Sequence, residues 1–248
     1  GSETTPSNAY LMNSVVSDGT SFVASSMIGR IYHSANGSSW TEINTGFNSA
    51  GQDFGVAAYG NGIWLVTGAV NNGLPLQTSI DGITWTSRTT GGTQFQRGAA
   101  YGNGTWVVVS STGGVGDTRV SADAITWSGG GVISANSLTF GAGVFVAVGS
   151  SGAIWTSSNG AAWASQTSGT TEGINNIRFL NSQFIAVGTN GLILTSPDGT
   201  TWTSRTSGYA GSITTVTYTG SQYVAYGNNG GIPAMLTSPD SVTWATTN

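Results

Sequence analysis

The sequence contains no cysteine and no lysine. Without cysteine there is neither a disulfide framework nor a thiolate metal site, and the redox compartment stays open. Charge of either sign is scarce: 6% of the 248 residues are charged, against about 25% in an ordinary globular domain. All six basic residues are arginine, and the formal net charge is −4. A surface that neutralises phosphate needs clustered Lys and Arg, so neither nucleic acid nor an anionic membrane is expected as a partner. No apolar run approaches the roughly 18 residues of a membrane span, so no membrane insertion is expected. Residues 1–10 show neither the basic nor the apolar region of a signal peptide. Solubility must come from Ser, Thr, Asn, Gln and the 39 glycines. That composition points to an exposed setting: extracellular, cell-surface or virion.

What the sequence does have is a repeat. One octet recurs as HSANGSSW, TSIDGITW, VSADAITW, TSSNGAAW, TSPDGTTW and TSPDSVTW, ending at Trp40, Trp85, Trp127, Trp163, Trp202 and Trp244. The spacings are 45, 42, 36, 39 and 42 residues, a period typical of propeller blades and other repeat units. Upstream of each octet lies a short run rich in aromatic and β-branched residues, such as Trp106-Val107-Val108 and Phe184-Ile185-Ala186. Before that run comes a second one ending in an aromatic and a turn, as in the AAYGNG copies that start at Ala57 and Ala99. Alternating runs separated by Asn-Gly and Asp-Gly signals read as β-hairpins, and no segment shows helical periodicity.

Each unit therefore reads as four antiparallel strands. The expected fold class is all-β, a six-bladed β-propeller of four-stranded antiparallel blades with one octet per blade. The expected blades are about 10–46, 47–90, 91–131, 132–169, 170–208 and 209–248, forming one domain over 10–248. Residues 1–9 stand outside the repeat, as a tag remnant or an added edge strand. All six octet tryptophans are expected to be buried between sheets.

The pattern Ser-x-Asp-x-x-x-Trp, with Gly after the Asp, resembles the Asp-box, or bacterial neuraminidase repeat, along the whole chain. The Asp or Asn of each octet (Asn36, Asp81, Asp123, Asn159, Asp198, Asp240) is placed to accept backbone N–H groups of its own turn. The Trp supplies a large apolar plug. Read this way the octets are structural. A calcium site wants six to eight oxygen ligands, whereas Asn replaces Asp in two copies and no further acid lies beside any of them. No metal and no cofactor are expected.

The resemblance also implies a test for sialidase chemistry, which uses an arginine triad, a Tyr nucleophile assisted by Glu, and an Asp acid/base. Arg88 and Arg205 sit at one repeat position and Arg30 and Arg119 near another, which leaves Arg97 and Arg178, fewer than a triad. The acids outside the octets are scattered, so the facing carboxylates of a glycosidase are not expected, and the chain reads as no enzyme. The lone His33 precedes an octet serine and reads as an edge residue.

Function should instead lie where the repeat is broken. The loops between blades bring Phe47, Phe95, Glu172 and Tyr209 to one rim, where ring faces, amides and a carboxylate suit a sugar; Arg97 and Arg178 add unrepeated charge. The main expectation is a binding module that recognises a glycan or another surface protein. The loops 70–75 and 111–117 are the longest of their kind and mark blades two and three as the side for a protein contact. The alternative is a structural or assembly scaffold, as in similar photosystem II assembly factor-like propellers, and the third reading is a sialidase-like glycoside hydrolase.

Overall fold

The computed structural model describes residues 12–26, 29–45, 52–70, 76–92, 94–112 and 114–247. Among them, six antiparallel sheets of four strands follow one another, each with its strands paired in chain order. The sheets span 12–43, 52–88, 96–129, 135–166, 174–205 and 212–247. Helix among the described residues is limited to 3-10 turns such as Ser150–Gly152 and Thr189–Gly191. The all-β class and the six four-stranded blades are as the repeat predicted. The chain divides into two compact units, Gly1–Val132 with the first three blades and Ile133–Asn248 with the last three.

The local rules that build a blade are visible in its first hairpin. In the second blade Gly60 pairs with Ile63 across Asn61 and Gly62, whose φ angles are 49° and 74°. Two consecutive left-handed residues make a type I′ turn, whose twist matches that of the strands it joins. Asn103-Gly104, Ala142-Gly143 and Asn181-Ser182 repeat it. Directly across this hairpin, aromatics face each other: Tyr59–Trp64, Tyr101–Trp106, Phe140–Phe145, Phe179–Phe184 and Tyr218–Tyr223 have tilted rings with centroids 4.6, 5.3, 4.8, 4.8 and 4.7 Å apart. Tilted pairs at this separation add stabilisation beyond the area they bury.

Second strands such as Val144–Gly149 and Gln183–Gly188 are buried at nearly every position, so both faces of a blade are covered and the strand reads as a continuous apolar run. In the first unit, Val23 and Ile31 of the first blade pack with Phe54, Trp64 and Val66 of the second. Leu65 and Leu76 of the second blade pack with Trp106 of the third. In the second unit Val146 and Val148 meet Ile174 and Phe184, and Ile185 and Val187 meet Ile213, Tyr223 and Trp244.

Neighbouring blades are also clasped by hydrogen bonds that the sequence did not announce. The first strand of most blades carries one extra residue, a β-bulge, at Asn13, Arg97, Asn136, Asn175 and Thr214. A bulge re-aims its side chain out of the strand's alternation, and where that residue is Asn it reaches the next blade. Asn13 Nδ2 donates to the Phe54 carbonyl at 3.1 Å and Asn136 Nδ2 to the Ile174 carbonyl at 3.0 Å. Asn175 Nδ2 donates to both Ile213 O and Ser212 Oγ at 2.9 Å. Replacing Asn175 by Ala should therefore cost about 1–2 kcal/mol, and by Asp more, because a carboxylate would face the Ile213 carbonyl without a donor. Urea unfolding of the two variants checks both the size and the order of the effects.

The octet tryptophans correct an expectation. Only Trp244, at 8% exposure, is buried; Trp40, Trp85, Trp127, Trp163 and Trp202 are half-buried. In five of the six octets the indole N–H donates to the carbonyl three residues back, from Trp40 to Gly37, Trp85 to Gly82, Trp163 to Gly160, Trp202 to Gly199 and Trp244 to Ser241; Trp127 Nε1 has no such partner among the described residues. That bond holds the ring over its own turn with an edge toward solvent, while the other side packs on the second-strand aromatic of the same blade, as in Phe22–Trp40, Phe184–Trp202 and Tyr223–Trp244. The ring clasps a turn and does not act as a plug sealed between sheets.

Candidate functional site

Antiparallel order places each octet turn at the same end of its blade as the first hairpin, and the connection from second to third strand at the opposite end. At the octet end one arrangement recurs in every blade. Oδ1 of the Asp or Asn accepts the N–H groups two and three residues on: Ser38 and Ser39 for Asn36, both at 2.9 Å, and Thr200 and Thr201 for Asp198, both at 2.8 Å. The serine two positions earlier donates its hydroxyl to the same Oδ1, as Ser79 does to Asp81 at 2.8 Å, and in the four octets with Gly after the Asp or Asn it also accepts that glycine's N–H, as from Gly82 at 2.8 Å. The Asn octets make the same bonds as the Asp octets, so these turns need the oxygen and not its charge. Backbone donors hold the four carboxylates Asp81, Asp123, Asp198 and Asp240 below the usual range. Among the described residues no three His, Asp or Glu gather into a metal-binding group.

The remaining described acids are engaged as well. Glu42 pairs with Arg30. Asp117 pairs with Arg119 at 2.7 Å and accepts the Ser110 hydroxyl. Asp18 caps its own turn through the N–H groups of Thr20 and Ser21, and Asp53 is not free either. Glu172 Oε2 accepts the Thr189 hydroxyl at 2.6 Å and Asn190 Nδ2 at 2.9 Å. Those two donors, the hydroxyl foremost, lower the Glu172 pKa.

The rim residues singled out in the sequence fall in different places. Phe47 lies outside the described residues. In the first unit Phe95 is half-buried and its ring is covered by the Arg97 guanidinium, 5.9 Å from the ring centroid. Arg97 Nε donates to the Ser111 carbonyl at 3.4 Å. In the second unit Glu172 locks the connection Thr189–Gly191 to the loop that enters its blade. Tyr209 is packed against Gly211 and Gly227, and its hydroxyl is buried without a hydrogen-bond partner. Arg178 reaches solvent from the first strand of the fifth blade and its guanidinium makes no hydrogen bond or ion pair with the described residues, yet enough protein crowds it for desolvation to lower its pKa. Of the other arginines, Arg88 and Arg205 donate from Nε to Thr78 and Thr195 at 3.0 and 2.9 Å, one contact at one repeat position.

A hollow of about 720 Å³ opens at the loop end of the fourth blade. Its lining, which includes Ser151, Gln166, Ser168 and Thr171, offers hydroxyls and an amide but no aromatic or charged side chain. Among the described residues no helix is long and apolar enough to cross a membrane.

No family model matches the chain, and no curated protein matches it. Solved structures do. YCF48 from Cyanidioschyzon merolae is 16% identical with a TM-score of 0.70, over 95% of this chain and 84% of that one. A structure of YCF48 bound to a D1 peptide is 18% identical with a TM-score of 0.64, over 89% and 77%. A computationally designed protein, Ika8, is 12% identical with a TM-score of 0.65, over 90% and 70%. At these identities the likeness is one of fold, and the fold is the β-propeller.

Proposed function

We propose that this chain is a non-catalytic protein-binding module that serves as an assembly scaffold. The observation that carries the reading is the engagement of every described acid: the octet carboxylates hold turns, and the others are committed to ion pairs or to the loops. A hydrolase needs an acid and a base or nucleophile facing one substrate; among the described residues each acid already has a partner in the fold, and the two carboxylates that share a groove, Asp81 and Asp123, both hold their own turns. What the fold offers a partner is a set of sheets fixed by repeated bonds, bearing non-repeated surface residues, which is the economy of a scaffold. Support also comes from a propeller of similar fold having been solved with a peptide bound. Recognition of a glycan is the weaker reading, because the Tyr209 ring lies against two glycines and one face of the Phe95 ring is taken by Arg97. The repeat itself we assign to the Asp-box type.

Mild cross-linking in the source cells followed by purification and mass spectrometry tests the reading. A single protein partner in fixed ratio is the expected result. A reproducible glycan-array signal without such a partner, or turnover of a fluorogenic sialoside, would overturn it.

A further inference from the structure

The octet turns of the second and third blades depart from the others in one respect. At the variable position between Ser and Asp, the octets carry Ala35, Ile80, Ala122, Ser158, Pro197 and Pro239; two residues after the Asp they carry Ser38, Ile83, Ile125, Ala161, Thr200 and Val242. Isoleucine occurs at these positions only in blades two and three. The turn does not require it, since the hydrogen bonds of the turn come from the Ser, the Asp and the backbone. Nor does the core take it up: Ile80, Ile83 and Ile125 are 83%, 53% and 51% exposed. Single exposed aliphatic side chains occur elsewhere, as at Val132, Ile232 and Val242, but Ile80 and Ile125 come together from two octet turns, and apolar surface gathered in this way marks a contact.

Ile80 and Ile125 border a groove of about 410 Å³ within the first unit, lined also by Ile63, Asp81, Asp123 and Arg88. Its charges are positioned by the fold. Each carboxylate commits Oδ1 to its turn, through Ile83 and Thr84 N–H at Asp81 and Ile125 and Thr126 N–H at Asp123. Arg88 is oriented by its Nε bond to Thr78. With two carboxylates against one guanidinium, the groove is acidic in balance, and its walls combine the three isoleucines with the hydroxyl side chains Thr78, Ser79, Thr84 and Thr86.

We propose that this groove docks an extended protein segment carrying a branched aliphatic residue beside an arginine or lysine, the aliphatic side chain between Ile80 and Ile125 and the basic one toward Asp81 and Asp123. The proposal rests on the protein-binding reading above and gives it a place and a partner chemistry. The groove lies in blades two and three, the side the loops suggested, but at the octet end; of the stretch expected as a loop over 111–117, residues 111–112 and 115–117 are paired strand, and 71–75 lie outside the described residues.

The test is selection from a random heptapeptide display library on the full chain, run in parallel on the double variant Ile80→Ser/Ile125→Ser. Both substitutions fall on exposed turn positions, so thermal unfolding of the variant should match the parent and serves as the folding control. Enriched peptides should pair Leu, Ile or Val with Arg or Lys, and a synthetic copy should bind the variant at least tenfold more weakly, the loss expected when buried aliphatic area is removed. Enrichment that is equal on parent and variant would overturn the groove while leaving a protein-binding surface elsewhere. Enrichment of acidic or wholly polar peptides would overturn the partner chemistry. Enrichment of nothing on either protein would count against both the groove and the reading beneath it. Concentration-dependent dimers of the parent that vanish in the variant would assign the groove to a second copy and overturn the proposal.

Discussion

Gly191→Ala is expected to lower stability by about 3 kcal/mol or more, a fall in melting temperature of roughly 6–12 °C for a chain of this size. Two effects act together. Gly191 has a φ of 69°, where any L-side chain pays about 1–2 kcal/mol. A Cβ at this point would also overlap the Tyr209 carbonyl oxygen and come within 2.6 Å of Ser207 Oγ. That oxygen is backbone and cannot swing aside. Its loop is fixed from both directions, by the Tyr209 N–H bond to Ser207 Oγ at 3.2 Å and by the Gly191 N–H bond to the Gly211 carbonyl at 2.7 Å. Relief of the overlap must therefore separate the Thr189–Gly191 turn from the loop that leads into the sixth blade. Gly169 provides the control, since its φ is 76° and an added Cβ would meet nothing within 4 Å. Gly169→Ala should show the conformational cost alone, about 1–2 kcal/mol. Equal losses in the two variants, measured by calorimetry, would mean that the loop yields and that the contact does not hold these blades together.

The features readable in the sequence were those that a local geometry forces on residue type. The octet was legible because a turn that satisfies its own N–H groups needs a short side-chain oxygen at one place and a serine two residues before it. The strands were legible because a sheet covered on both faces leaves runs such as Phe145-Val146-Ala147-Val148. The tryptophans are not legible as half-exposed: composition says that Trp is apolar, and the indole N–H bond to the turn carbonyl, made in five of the six octets, leaves no mark in the sequence. The asparagine clasps were not legible either. Asn13, Asn136 and Asn175 sit at bulges, outside the period-2 alternation, and in sequence an Asn ahead of a strand is indistinguishable from loop. Among the rim candidates, Glu172 and Tyr209 were chosen for being unrepeated, and that criterion finds departures from the repeat without showing which way a side chain turns. Ile80 is also unrepeated and Ile125 recurs only as Ile83, but in variable slots of a recognised motif they pass for noise until their exposure is known.

Acid should unfold this protein through its octets. Asp81, Asp123, Asp198 and Asp240 all have pKa values lowered by backbone N–H donors, foremost those of Thr84, Thr126, Thr201 and Thr243. Asp18 is lowered to about 2, chiefly by the Ser21 N–H. A carboxylate whose folded pKa lies below its unfolded value of about 3.9 contributes stability that is fully present above the unfolded pKa and is lost as pH falls toward the folded one. Stability should hence be flat with respect to these groups above about pH 5 and decline below about pH 4. Blades one and four, with Asn36 and Asn159, have no octet carboxylate to lose. The fourfold variant Asp81→Asn/Asp123→Asn/Asp198→Asn/Asp240→Asn keeps every Oδ1 acceptor and removes the titration, so its acid midpoint should move to lower pH in a circular dichroism titration from about pH 1.5 to 7. It also takes the formal net charge from −4 to zero, which favours association, so the titration belongs at low protein concentration. Asp198→Ala should instead cost about 1–2 kcal/mol at neutral pH, the price of a lost cap, because the Thr200 and Thr201 N–H groups lose their acceptor. An unchanged acid midpoint in the fourfold variant would remove the octets as the acid-labile element. A harmless Asp198→Ala would remove the acceptor oxygen as the reason the motif repeats, and leave the tryptophan clasp to explain it alone.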